Sequence, residues 1–165
     1  MKSVYNFVVK PKGERYNNTK KLDGGELILN TEIFNHQYVN REAEVISIPI
    51  IGDTDIKPGD TVIVHHNVFR RWHNVKGIEK NSRAYFDEDT YFINDDQIFL
   101  YKRDDKWIVP KGYCFVIPLK AQNPFNIDME KPLQGIVKYS DGTVKVGDLV
   151  GFRPSSEYEF IVDGE

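Results

Sequence analysis

The sequence predicts an all-β protein built as a small barrel, and three observations carry that expectation. Helical periodicity is nearly absent from its 165 residues. Short β-branched and aromatic runs recur, separated by clusters of Gly, Pro, Asn and Asp. Apolar residues make up 40% of the chain, enough to build a core, so a folded domain is the default.

Strands are expected at residues 4–10, 43–48, 61–66, 91–93 and 97–101, with shorter ones at 75–78 and 83–86. The first rests on Phe7-Val8-Val9 and the second on Val45-Ile46-Ser47-Ile48. The third, Thr61-Val62-Ile63-Val64, is launched by Lys57-Pro58-Gly59-Asp60. In that turn Pro58 presets φ, Gly59 accepts a positive φ and Asp60 bonds its own backbone. Tyr91-Phe92-Ile93 and Gln97-Ile98-Phe99-Leu100-Tyr101 complete the inventory. Between the first two strands lies a polar stretch, residues 12–37. Its one obvious apolar block, Leu27-Ile28-Leu29, follows the glycine pair Gly24-Gly25. With so little to bury, the stretch is expected to be mobile when free.

The second half begins again. Phe115-Val116-Ile117-Pro118 echoes the run from Phe7 to Pro11, and Gln134-Gly135-Ile136-Val137 echoes Ala43-Glu44-Val45-Ile46. The strongest match sets residues 144–152, with Lys145-Val146-Gly147-Asp148, against residues 56–64. The polar segment 102–106 is the natural seam, which divides the chain into residues 1–104 and 105–165. The second copy has a shorter first connection with no Gly-Gly-aliphatic tip; its apolar candidates are Phe125, Ile127 and Met129. It also stops without a counterpart of residues 96–101, either natively or because the chain was cut there.

A net charge of −3, with acids and bases interspersed, offers no field of one sign for nucleic acid or anionic lipid. The cluster Arg70-Arg71-Trp72-His73 reads as a solvated turn, since a nucleic-acid footprint needs many phosphate contacts. The single cysteine, Cys114, cannot form an internal disulfide and reads as a small buried hydrophobe. No apolar run is long enough to span a membrane and no signal peptide opens the chain, so the cytoplasm is expected.

The order of strand, long loop with a Gly-Gly-aliphatic tip, strand and Lys-Pro-Gly-Asp turn resembles the GroES-type co-chaperonins of the chaperonin-10 family. The bacteriophage members are closest in style, because residues 49–55 are too short for the long roof hairpin of the bacterial lid. The resemblance covers residues 4–101 in order and composition and residues 107–162 in part. It implies a GroES-like small β-barrel with a second, partial copy at the C-terminus. It also implies a co-chaperonin that caps a GroEL-type chaperonin through a mobile loop, in the host cytoplasm if phage-encoded, with ATP bound by the partner and no cofactor or metal of its own. The chaperonin-binding residues would be Gly24, Gly25, Leu27, Ile28 and Leu29. The family's ring, sevenfold and therefore heptameric, pairs the first strand of one subunit with the last strand of its neighbour. That implies an interface through Tyr5, Phe7, Val9, Ile98 and Leu100.

Two alternatives accompany this reading. Residues 24–29 could form an ordinary hairpin whose Leu27 and Leu29 face the core, and the whole chain could be a non-catalytic structural β-barrel module of a virion or other assembly. Catalysis is not expected. His65 and His66 are adjacent in an expected strand, so their side chains would point to opposite faces and could not chelate as a pair. No phosphate loop or nucleophile elbow occurs. The Cys and His ligands and the nucleotide domain of the medium-chain alcohol dehydrogenases, which share the GroES-like barrel, are also missing.

Overall fold

The computed structural model describes residues 1–16, 19–22, 25–28, 38–120, 130–156 and 158–163. The chain is nearly all β and divides into two compact units, Met1–Trp107 and Ile108–Glu165. Among the described residues no helix is long and apolar enough to cross a membrane.

The first unit runs β1 (Phe7–Pro11), β2 (Thr19–Leu22), β3 (Gly25–Ile28), β4 (Glu42–Ser47), β5 (Thr61–Val64), β6 (Arg71–His73), β7 (Glu79–Asn81), β8 (Tyr85–Asp87), β9 (Thr90–Ile93), β10 (Ile98–Arg103) and β11 (Lys106–Ile108). Seven of these form one sheet in the order β11-β10-β5-β4-β1-β9-β8, while β2–β3 and β6–β7 stand as separate pairs. The order is open: among the described residues β11 and β8 do not pair with each other. Both are short, and β8 is bulged against β9, which is how sheets end an edge.

Alternation explains the core. Phe7 and Val9 on β1, Ala43 and Val45 on β4, and Val62 and Val64 on β5 lie in one buried cluster, while Val8 and Ile63, of opposite phase, are buried outside it. Each such side chain contributes roughly 1.5 to 3 kcal/mol on burial. On β10 the phase breaks. Ile98 and Tyr101, three residues apart, share the cluster because the register slips between Ile98 and Leu100, with Phe99 as the extra residue.

Three local expectations are corrected. Residues 75–78 are not a strand but the turn of the β6–β7 hairpin. Asn74 accepts there from the Lys76 and Ile78 N–H groups at 2.9 and 3.0 Å, and Gly77 takes a φ of +72°. Arg71, Trp72 and His73, read as a turn, form one arm of that hairpin. The expected seam at 102–106 is itself a tight hairpin between β10 and β11. Asp104 and Asp105 take the paired positive φ values, 49° and 58°, that such a turn demands, and Asp tolerates that region better than most residues.

In the second unit β12 (Cys114–Lys120), β13 (Glu130–Ser140) and β14 (Leu149–Gly151) form a sheet in that order. It repeats β1-β4-β5 bond for bond. Gly59 N–H donates to Val45 O at 2.8 Å, Val45 N–H to Asp60 O at 2.9 Å, and Asp60 N–H to Lys57 O at 3.1 Å. Gly147 to Val137, Val137 to Asp148 and Asp148 to Lys145 do the same at 2.8, 2.9 and 3.1 Å. Both turns hold their glycine at nearly the same φ, +92° for Gly59 and +93° for Gly147. Each closes on its aspartate, which accepts from the Lys57 N–H at 2.8 Å in one unit and from the Lys145 N–H at 3.3 Å in the other. Even the bulge recurs. The register slips between Val8 and Val9 against β4, and between Phe115 and Val116 against β13, leaving Ile46 and Lys138 as the extra residues. The structural match of Val137 is therefore Val45, one residue away from the alignment that sequence suggests.

Cys114, expected buried, is exposed. It occupies the register of Phe7, but among the described residues no strand of the second unit stands where β9 covers β1. Residues 125, 127 and 129 lie outside the described residues.

The Asp60 carboxyl is gripped from a second side. Arg103 donates through Nε to Oδ1 at 3.0 Å and through Nη2 to Oδ2 at 2.6 Å. Burial pushes this carboxyl up, but the Arg103 and Lys57 hydrogen bonds outweigh it, and its pKa lies below the ordinary 3.8. A depressed folded value means that the stabilisation is complete above the unfolded pKa and is lost as pH falls through the folded one. Arg103→Gln should therefore lower the thermal midpoint at neutral pH and flatten its decline below about pH 4, checked by melts across that range.

Gly135 lies opposite Pro118, as Ala43 lies opposite Pro11. A Cβ at Gly135 would meet Val116 Cβ at 2.8 Å and the Ile117 carbonyl at 2.9 Å. Gly135→Ala should cost about 1 to 3 kcal/mol in urea unfolding of the second unit, despite the alanine tolerated in the first.

Candidate functional site

The long connection between β1 and β4 is rooted by an unusual set of polar side chains. Tyr16 bridges to Val39, and Asn40 N–H donates to Arg15 O at 2.9 Å, so the two ends of the connection leave the sheet side by side. Asn40 also donates through Nδ2 to Lys12 O at 3.1 Å and Glu14 O at 2.9 Å. Arg15 is buried and donates to Phe69 O through Nε and Nη2 at 3.2 and 3.1 Å, and to Asn81 Oδ1 at 2.8 Å. Its charge faces Glu88 at 3.6 Å and lies over the Tyr85 and Tyr91 rings at 5.4 and 5.8 Å. Burial pushes the Tyr91 hydroxyl up to about 12, so the ring stays neutral beside the guanidinium.

From this root the chain reaches β2 and β3, which pair antiparallel with Thr19 opposite Ile28 and Leu22 opposite Gly25. The register leaves two residues, Asp23 and Gly24, between the strands. Asp-Gly is the sequence favoured at a two-residue hairpin. β2 and β3 are thus paired strands and not a structureless loop. Among the described residues they pair only with each other, and an isolated two-stranded pair has marginal stability. Of the candidate chaperonin-binding residues, Gly25, Leu27 and Ile28 belong to β3, whereas Gly24 and Leu29 lie outside the described residues.

The candidate interface residues fare differently. Phe7, Val9, Ile98 and Leu100 are buried within their own chain; only Tyr5 is exposed, at 71%. β1 is flanked by β4 and β9, and β10 by β5 and β11. β1 is paired on both sides at Val8 and Val9, whereas the six-residue β10 has only the three-residue β11 on the side away from β5. A different apolar surface is open: Met1, Val4, Tyr5, Ile50 and Ile51 are exposed, tied together by Ile50 N–H to Ser3 O at 3.1 Å and Ile51 N–H to Val4 O at 3.0 Å.

The histidine expectation is also corrected. β5 ends at Val64, and beyond it His65 and His66 stack face to face with centroids 4.3 Å apart. Among the described residues no cluster of His, Cys, Asp and Glu is placed to hold a metal. A shallow groove of about 310 Å³ brings together Arg70, Trp72, Ser82, Arg83 and Gln97 without a carboxylate in its wall, and its Ser82 hydroxyl donates to Val68 O at 2.6 Å.

Arg15, Tyr16 and Asn40 carry no motif that would single them out, since their partners come from distant strands. Asp23-Gly24 did carry one. Comparison with protein-family models, curated proteins and solved structures finds no match to this chain.

Tyr16 tests the root. Its hydroxyl accepts from Arg71 N–H at 2.8 Å and donates to Arg71 O at 3.2 Å. Tyr16→Phe should cost about 1 kcal/mol and speed amide hydrogen exchange at Arg71 and Asn40 while leaving Val45 slow.

Proposed function

We propose that this chain is a co-chaperonin: a GroES-like module that caps a GroEL-type chaperonin through the segment Gly24–Leu29, with nucleotide turnover left to the partner. The observation that carries the reading is the hairpin. Gly25, Leu27 and Ile28 belong to β3, which pairs with β2 beyond a root clamped to the sheet, and this suits a segment held ready for capture. Burying three such aliphatics contributes roughly 5 to 8 kcal/mol, while ordering about ten residues costs on the order of 10 kcal/mol. One hairpin alone therefore binds weakly. Several on one ring turn later contacts into intramolecular ones, and avidity supplies the rest. A ring, heptameric by resemblance, remains part of the proposal. Beside the β1 and β10 contact that the resemblance implies, the exposed surface of Met1, Val4, Tyr5, Ile50 and Ile51 offers a second one.

The test is co-sedimentation with a GroEL-type chaperonin in the presence of nucleotide. Ile28→Asp should abolish capture while leaving the thermal midpoint unchanged. Loss of folding in that variant would favour an Ile28 packed in the core. Capture that survives the substitution would sink the reading and favour the structural module of an assembly.

A further inference from the structure

The repeated hydrogen bonds set the two units in register, and the register exposes what the second unit lacks. Asp60 corresponds to Asp148, Thr61 to Leu149, Val62 to Val150 and Ile63 to Gly151. The match extends one bond further: Val64 N–H donates to Arg41 O at 2.8 Å and Phe152 N–H to Leu133 O at 3.0 Å. In the first unit the outer edge of β5 is covered by β10, with Lys102 opposite Thr61, Tyr101 opposite Val62 and Leu100 opposite Ile63. The last residue of β10 is Arg103, which forks onto Asp60.

In the second unit β14 ends its sheet, and among the described residues no strand follows it. Since Phe152 N–H points inward to β13, alternation turns the N–H groups of Leu149 and Gly151 outward, toward the edge on which no described strand pairs. Leu149 is 62% exposed, against a half-buried Thr61 at the same place. Asp148 is exposed and keeps its turn bond to the Lys145 N–H, but among the described residues no basic side chain stands where Arg103 grips Asp60.

We propose that the outer edge of β14 is a docking site for an extended segment of a partner polypeptide. The segment adds antiparallel, as β10 does on β5, and ends in an arginine that forks onto Asp148. The first unit shows the chemistry of the occupant: a run of large apolar residues, as in Ile98-Phe99-Leu100-Tyr101, and a terminal guanidinium for the carboxylate. A second copy of this chain does not supply it. Its own β10 is already paired with β5, and its Arg103 already grips Asp60. Two β14 strands paired with each other would leave both Asp148 carboxylates without a cation. The inference is independent of what the β2–β3 hairpin binds.

The probe is a peptide with the sequence of positions 96–104, the segment already known to fit the corresponding edge. It is titrated into the full chain while backbone amides are followed by NMR. The expected result is perturbation and slowed exchange of the Leu149 and Gly151 amides. Gln at the arginine position of the peptide should weaken binding about tenfold. Asp148→Asn should give a similar loss that the variant peptide does not deepen. The arginine-free peptide keeps the test valid even if Asp148→Asn disturbs the turn. No perturbation of β14 at millimolar peptide, equal affinity of the two peptides, or protection of Leu149 that grows with protein concentration alone would each overturn the proposal.

Discussion

Both units are organised by one carboxylate. An aspartate at the end of a four-residue turn accepts the N–H three residues before it, and the glycine between them takes a backbone that other residues resist. This closes the reversal into β5 and into β14, and it places the turn amides against the preceding strand at Val45 and Val137. From those bonds follow the register of β4 on β5, then of β1 on β4 with its bulge, and so the phase of the residues that reach the core. A shift of one residue at the turn would carry Val62 and Val64 out of the cluster and put Ile63 in their place.

The same scaffold gives different solidity according to what surrounds it. In the first unit β9 and β10 extend the three-strand motif on both sides, and Phe7, Val9, Val45, Val62 and Val64 are fully buried. Without either addition among the described residues, the second unit buries Val137 but leaves Ile117, Val146 and Leu149 substantially exposed. Arg103 belongs to this difference too, because it ties the turn of Asp60 to β10 and also donates to the Asp55 carbonyl at 2.6 Å. Elsewhere in the second unit local polar bonds do part of the holding. The Asp141 carboxylate accepts from Thr143 Oγ1 at 2.6 Å, Gly112 N–H at 2.8 Å and Thr143 N–H at 2.9 Å, and these bonds hold it down to about 2.

The strands with the densest β-branched runs were legible in the sequence because burial on both faces leaves little choice of residue. Phe7-Val8-Val9 and Thr61-Val62-Ile63-Val64 are the clearest cases. The internal repeat was legible for the same reason, plus the glycine and aspartate that its turn requires. Its alignment at Val137 slipped because bulges at Ile46 and Lys138 break the period of two without leaving a compositional mark. Two tight reversals escaped for different reasons. Asp104-Asp105 was read as a seam because it is polar, and residues 75–78 were read as a strand on their Val and Ile although Asn74 and Gly77 close a turn there. At the candidate site the aliphatic arm could be located from its glycines. The root could not, since Arg15 and Tyr16 are fastened to Phe69, Arg71 and Asn81 by contacts that span dozens of residues.

The strand order also sets a timetable. A ribosome delivers β1, β4 and β5 early, and their local turn lets them pair as soon as they emerge. The strands that flank them, β9 and β10, come only after residues 71–87 have been made. Until then Phe7-Val8-Val9 and Val62-Ile63-Val64 carry open hydrogen-bonding edges beside apolar side chains, the condition in which nascent sheets stick to one another. The first unit is thus most exposed to aggregation midway through its own synthesis. For β1 that interval closes only when Tyr91, Phe92 and Ile93 reach it.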